Sequence, residues 1–216
     1  MAIRINDTIP DIKVSTDVGD FNMHDWIGDS WAILFSHPKD FTPVCTTEFS
    51  AVAKLENDWK VRNTKVLGVS VDSVEDHKKW KKDIEAYGSH KAFFPIISDI
   101  DLVVSKAFDM LPSEAYLPDG RTPNDTATVR SVFIIGPDKK LKLSMTYPMT
   151  VGRNFAEVLR ALDALQLSTN KGIATPADWQ VGKDVIIPAT VTDEEAESKF
   201  GSFEKALPYL RKVNIG

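Results

Sequence analysis

Trp31-Ala32-Ile33-Leu34-Phe35-Ser36 runs directly into His37-Pro38-Lys39-Asp40-Phe41-Thr42-Pro43-Val44-Cys45. The first part is apolar almost throughout, the pattern of a strand covered on both faces. Past Cys45, Phe49, Val52, Leu55 and Trp59 recur at helical spacing among Glu48, Lys54, Glu56 and Lys60, which predicts an amphipathic helix from Pro43 to about Arg62. A buried strand feeding a helix is the repeating unit of an α/β domain. Thr42 falls where an N-cap belongs, Pro43 at the first helical position, which tolerates a missing N–H, and Cys45 in the first turn. There the unpaired N–H groups and the positive end of the helix dipole favour an ionised sulfur. A free cysteine is usually a small buried hydrophobe. Its place just beyond the end of a buried strand, where α/β sheets carry their sites, shifts the reading toward a reactive thiol.

Outward from this stretch the alternation continues. Lys65 to Val71, Pro95 to Ser98, Val129 to Ile135 and Lys140 to Thr146 read as strands, the last two joined by a hairpin signal at Gly136-Pro137-Asp138-Lys139. Val74 to Tyr87, Leu102 to Phe108 and Asn154 to about Leu167 read as helices. The mixed charges of Glu75 to Asp83 around Trp80 predict a solvated helix face with one docked aromatic and no function. Met110 to Asp125, rich in Pro, Asp and Gly, predicts a surface loop. The pattern changes after Ser168, so the expected division is a main domain over 1–168 and an extension over 169–216. The extension carries a strand-like Val185-Ile186-Ile187-Pro188 and a helix capped at Thr192 with Glu195 three residues on. It is too short to hold a core alone and should lie against the main domain or a second subunit.

Composition narrows the function. The chain has 216 residues, 43% hydrophobic and 26% charged, with 31 acidic against 26 basic side chains and a formal net charge of −5. Such a chain buries a proper core, and its scattered Lys and Arg argue against a nucleic-acid partner. No apolar run reaches the roughly 20 residues of a membrane span, so no transmembrane segment is expected. The segment from Met1 to Asp11 lacks a signal peptide's hydrophobic stretch, and a cytoplasmic location is expected. With Cys45 as the single cysteine, an internal disulfide, a CxxC redox pair and a multi-cysteine zinc site are all ruled out. The four histidines show no HExxH spacing, and neither GxGxxG nor GxxxxGK[ST] occurs, so metal, dinucleotide and P-loop readings have no local support.

Pro38-x-x-x-Thr42-x-x-Cys45 resembles the active-site signature of the peroxiredoxins. Ser36-His37-Pro38 with Phe41-Thr42-Pro43-Val44-Cys45-Thr46-Thr47-Glu48 is similar to their one-cysteine subfamily. The likeness continues through Ser73-Val74-Glu75-Asp76-His77, Arg130, Gly136 to Ser144, Gly152-Arg153-Asn154-Phe155, Ala174-Thr175-Pro176 and Trp179. This resemblance implies a thioredoxin-like fold, a central mixed sheet flanked by helices, and a homodimer whose interface the C-terminal extension helps build. It implies an antioxidant peroxidase acting on hydrogen peroxide and organic hydroperoxides, with no metal, flavin, haem or nicotinamide cofactor. By the same resemblance, Cys45 is the nucleophile, Arg130 lowers its thiol pKa and donates to the charge that shifts onto oxygen, Thr42 orients the peroxide, and Pro38 shields the thiolate. Glu48 and Arg153 position the arginine, and His37 lies near the thiol. The blander alternatives are that Thr42 only caps the helix and that Arg130 only pairs with a carboxylate such as Glu48.

With one cysteine, the sulfenic acid must be resolved by an external reductant: glutathione, thioredoxin, glutaredoxin or ascorbate. Two other functions compete. Some one-cysteine relatives are described as hydrolysing phospholipids, and Gly28-Asp29-Ser30-Trp31-Ala32 with His24 and Asp138 falls at the matching places. Ala32 breaks the GxSxG pattern, and Ser30 precedes a strand instead of following one, which does not suit a nucleophile elbow. The other is a redox sensor or holding chaperone, which would react once where a peroxidase turns over.

Overall fold

The structure is a computed structural model and describes residues 3–115 and 126–215. Two compact units divide the chain, 1–153 and 154–216. In the first, β1 (Lys13–Thr16), β2 (Gly19–Asn22) and α1 (Met23–Ile27) precede β3 (Trp31–Ser36), α2 (Pro43–Lys54), α3 (Glu56–Val61) and β4 (Thr64–Ser70). Then follow α4 (Val74–Gly88), β5 (Ile96–Ser98), α5 (Val103–Ala107), β6 (Arg130–Ile135) and β7 (Leu141–Tyr147). The strands form one mixed sheet in the order β2-β1-β5-β4-β3-β6-β7. At its centre β3 pairs parallel with β4 and antiparallel with β6, and every residue of β3 and β6 is buried. The unbroken apolar run at 31–36 follows from that double coverage. This is the thioredoxin-like α/β architecture that the resemblance implies.

The helix expected from Pro43 to Arg62 is two helices. The Val52 carbonyl, which a continuous helix would offer to the N–H four residues on, accepts instead from the Leu55 N–H and from the Trp59 indole, each at 3.2 Å. The chain turns at Leu55, and α3 swings Trp59 into the core at 1% exposure. The face of α4 also differs from its reading. His77 is buried along with Trp80, Ile84 and Gly88, so the Glu75 to Asp83 run carries a second buried ring that charge patterning hid. Of the expected loop from Met110 to Asp125, residues 116–125 lie outside the described residues.

The second unit holds α6 (Phe155–Lys171), β8 (Val185–Ile187), α7 (Asp193–Phe200), β9 (Glu204–Leu207) and β10 (Leu210–Val213), with a three-stranded sheet in the order β8-β10-β9. The division falls before α6, where the sequence pattern placed it after. The reason is that α6 lends Ala164 and Leu167 to a cluster with Ile173, Trp179, Val185, Ile187, Ala196 and Val213. That helix provides the core the extension would otherwise lack. The capping box at Thr192 and Glu195 forms as read.

Helices α2 and α4 meet at one close approach. A Cβ on Gly88 would lie 1.9 Å from the Ser50 Oγ and 2.9 Å from its Cβ, so the glycine is required by contact. Gly88→Ala should therefore cost about 1–3 kcal/mol, lowering the thermal midpoint by several degrees, because a packed interior resists added methyl groups. Thermal unfolding followed by circular dichroism checks this; an unchanged midpoint would refute the close packing.

Candidate active site

The site lies at the C-terminal end of β3. Thr42 takes the extended N-cap conformation of α2, Pro43 is its first residue, and Cys45 sits in the first turn with no exposed surface. The Thr42 hydroxyl does not cap the helix. It donates to the Lys39 carbonyl at 2.9 Å, inside the tight turn that carries Pro38, which is buried. A hollow of about 410 Å³ lined by Phe41, Thr42, Pro43, Thr46, Thr47, Asp83 and Tyr87 opens beside this turn.

Arg130, the first residue of β6, reaches the sulfur because β6 is the immediate antiparallel neighbour of β3. Its Nη1 donates to Cys45 Sγ at 3.3 Å and to Glu48 Oε2 at 2.8 Å, and its Nε donates to the Met149 carbonyl at 2.7 Å. Its Nη2 makes no hydrogen bond among the described residues, so those N–H donors are available to a bound molecule. One helical turn past Cys45, Glu48 is held by a second guanidinium. Arg153 donates from Nε to Oε1 at 2.9 Å, from Nη2 to Oε2 at 2.7 Å and from its backbone N–H to Oε1 at 2.8 Å. Arg153 Nη1 in turn donates to the Ser131 carbonyl at 2.9 Å, and the guanidinium lies over the Phe35 ring at 5.2 Å. Burial alone would push the Glu48 carboxyl up, but the Arg153 hydrogen bonds and charge, with the Arg130 charge behind them, hold it below the usual carboxylate range.

Thus Cys45, Arg130, Glu48 and Arg153 form one connected group, with Thr42 and Pro38 on the turn before it. His37 is directed to a different partner: its Nε2 bonds Asp40 Oδ1 at 2.7 Å. Asp40, His77 and Asp72 join it in a buried network that the sequence reading missed, because Asp40 and His77 lie 37 residues apart and no local pattern links them. Burial lowers the His37 pKa against the opposing pull of Asp40. For Asp40 burial acts upward, but the hydrogen bonds from His37 and His77 prevail and bring it down to about 2. His37, Asp40 and Asp72 offer ligand atoms within 4.8 Å of one another, the spacing of a metal site. Each Asp40 oxygen already accepts from an imidazole, so the donor set suits a hydrogen-bond network and not an ion.

Ser30, His24 and Asp138 are not hydrogen-bonded to one another. The Ser30 hydroxyl donates to Asn63 at 3.2 Å, His24 Nε2 bonds the Ile9 carbonyl at 2.8 Å, and Asp138 pairs with Lys142 at 2.6 Å.

A family model described as the AhpC/TSA family matches residues 5–144, and one described as the C-terminal domain of 1-Cys peroxiredoxin matches residues 164–202. Peroxiredoxin PRX1, mitochondrial, of Saccharomyces cerevisiae is 50% identical over 212 residues, covering 97% of this chain and 80% of that protein. The crystal structure of a cysteine-to-serine mutant of peroxiredoxin 6 of Arenicola marina superposes with a TM-score of 0.92 at 43% identity, covering 100% of this chain and 99% of that one. A yeast mitochondrial 1-Cys peroxiredoxin, described for its thiol resolving mechanism via glutathione/thioredoxin systems, gives 0.88 at 48%, covering 98% and 99%. Fold and family together define a thiol-dependent peroxidase. The chain belongs to the 1-Cys peroxiredoxins. Among the described residues no helix is long and apolar enough to cross a membrane.

Two depressed carboxyls make acid the weak side of this site. A carboxylate held low in the folded state adds stability that is complete above its unfolded value and is lost as pH falls through the folded one. Denaturation midpoints should therefore be insensitive to Glu48 and Asp40 above about pH 5 and decline from about 4.5 toward 2, Asp40 alone accounting for on the order of 2 kcal/mol. Urea unfolding across that range checks it; a midpoint that rises on acidification would contradict both assignments.

Proposed function

We propose that Cys45 is the nucleophile of the peroxidase and that Arg130, Thr42 and Pro38 act with it. The observation that carries this reading is the 3.3 Å contact between Arg130 Nη1 and Cys45 Sγ, with the same nitrogen tied to Glu48. The Cys45 thiolate attacks one oxygen of the hydroperoxide. The S–O bond forms as the O–O bond breaks, and the second oxygen leaves as alkoxide or hydroxide and takes a proton, giving an alcohol or water and Cys45 sulfenic acid. Negative charge moves from sulfur to the leaving oxygen during this step. A guanidinium fixed at three points and still carrying free Nη2 donors meets that charge without reorganising. Thr42, half-buried at the mouth, and buried Pro38 orient the peroxide and keep water from the sulfur. The hollow beside the turn, with Phe41, Pro43 and Tyr87 among its lining residues, suits the carbon portion of an organic hydroperoxide.

The chain has one cysteine, so an outside thiol completes the cycle. It attacks the sulfenic sulfur, releasing water and leaving a mixed disulfide that a second thiol reduces. The yeast relative's glutathione/thioredoxin systems support glutathione or a thioredoxin as that partner here. A homodimer and a cytoplasmic site of action remain part of this reading on the strength of the sequence alone.

Intact-mass spectrometry after graded hydrogen peroxide, with a sulfenic-acid trap, tests the assignment. Wild type should take one adduct at stoichiometric peroxide and Cys45→Ser none. Without the trap, excess peroxide should convert the sulfur to sulfinic acid and abolish turnover in step with dose. An adduct on Cys45→Ser, or full activity retained at high peroxide, would refute the one-cysteine cycle on Cys45.

A further inference from the structure

The buried network around Asp40 has no role in the chemistry above, yet it sits on the segment that presents Pro38 and Thr42. Asp40 is 2% exposed, two residues before Thr42 and five before Cys45. Its Oδ1 accepts from His37 Nε2 at 2.7 Å and its Oδ2 from His77 Nδ1 at 2.6 Å. Its backbone N–H donates to Asp72 Oδ2 at 2.9 Å, the same oxygen that takes the Ser70 hydroxyl at 2.7 Å. His77, on α4, has its other ring nitrogen 3.1 Å from the Ile97 carbonyl. Both nitrogens of that ring thus face oxygen acceptors, the Asp40 carboxylate and the Ile97 carbonyl, which fixes the ring between the turn and β5. His37 differs: its Nδ1 is buried without a partner, which fits a neutral ring donating through Nε2 alone. The groups facing the pair are therefore a neutral His37 and the Asp72 carboxylate.

Desolvation offsets much of what a buried carboxylate gains from its partners; what its hydrogen bonds supply is a fixed position. The segment needs one. Phe41, immediately after Asp40, has φ +56 and is 51% exposed, a left-handed conformation for a bulky side chain that persists only where its surroundings impose it. The Asp40 carboxylate and N–H on one side of it, and the Thr42 hydroxyl on the Lys39 carbonyl on the other, hold that turn.

We propose that His77 is a positioning residue for peroxide reduction: through its hydrogen bond to Asp40 it holds the 37–42 turn so that Thr42 and Pro38 stand correctly over Cys45. The inference rests on the roles given to those two residues above and adds a residue from a distant helix to the machinery. It makes α4 the anchor of the turn, with Asp40 as the link. Loss of the anchor should harm the reaction that needs an oriented peroxide and spare one that needs only the sulfur.

The test compares two rates on the reduced full-length protein, sulfenic-acid formation with hydrogen peroxide and alkylation by iodoacetamide. His77→Leu should slow the first by about 10- to 100-fold and change the second by less than about threefold, since displacement of an orienting group by about 1 Å has effects of that size. His77→Asn, whose amide N–H can replace Nδ1–H toward Asp40, should recover most of the peroxide rate. A wild-type peroxide rate in His77→Leu overturns the proposal. So does a parallel fall in both rates, which would mark general damage, or an asparagine variant no better than leucine. If His77→Leu does not fold, Asp40→Asn is read in the same two assays with the same expected split, and equal behaviour to wild type overturns the proposal. Absence of any sulfenic adduct in wild type would instead sink the assignment of Cys45, which separates the two failures.

Discussion

One carboxylate between two guanidiniums organises this molecule's chemistry. Glu48 takes three hydrogen bonds from Arg153 and one from Arg130, all buried, and the nitrogen that Arg130 gives to Glu48 is the one that touches Cys45. Two cations and one anion leave an excess positive charge in a place where charge is costly to bury. The thiolate proposed at Cys45 would offset it. Removing Glu48 would leave two buried guanidiniums without their carboxylate. A lone arginine near the sulfur would sample many rotamers and meet competing water; Arg130 is fixed through Nε and Nη1 at once.

The sheet order is what lets this group assemble. Cys45 and Glu48 follow β3 on α2, Arg130 begins β6, and Arg153 follows β7, so side chains bonded across as many as 105 positions converge at one end of adjacent strands. The Phe35 ring on β3 sits beneath Arg153, and the Ser131 carbonyl on β6 receives it, so strand positions set the guanidinium's plane. Function here is a consequence of register: β3 and β6 pair Phe35 with Val132, which places Arg130 just beyond the last bonded pair, level with the turn that leads to the thiol.

Much of this was legible in the amino-acid order because it is local. The apolar 31–36 run, Pro43 at the helix start and the Gly136 to Lys139 turn each carry their own signal, and the structure has β3, α2 and the β6–β7 connection where those signals lie. What stayed hidden depends on partners far along the chain. His77 reads as a residue on a charged helix until its 37-residue link to Asp40 is seen. The break at Leu55 depends on the Trp59 indole reaching back to the Val52 carbonyl, which no periodicity reports. Strands β2 and β9 are four residues each and mostly exposed, without the alternation that marks a half-buried strand. For Ser30, His24 and Asp138, likeness to some one-cysteine relatives suggested a constellation, and the fold gives each a different partner.

On the proposed mechanism, Arg130, held by Glu48, makes Cys45 reactive toward peroxide. Stopped-flow measurement of the second-order reaction between hydrogen peroxide and reduced protein, on wild type and Arg130→Lys, addresses it most directly. Lysine keeps the charge but cannot bridge sulfur and carboxylate in one plane while offering further donors, so the rate constant should fall by about 100- to 1,000-fold. A lysine variant within about threefold of wild type would show that charge alone suffices and that the planar clamp described here is not what drives the reaction.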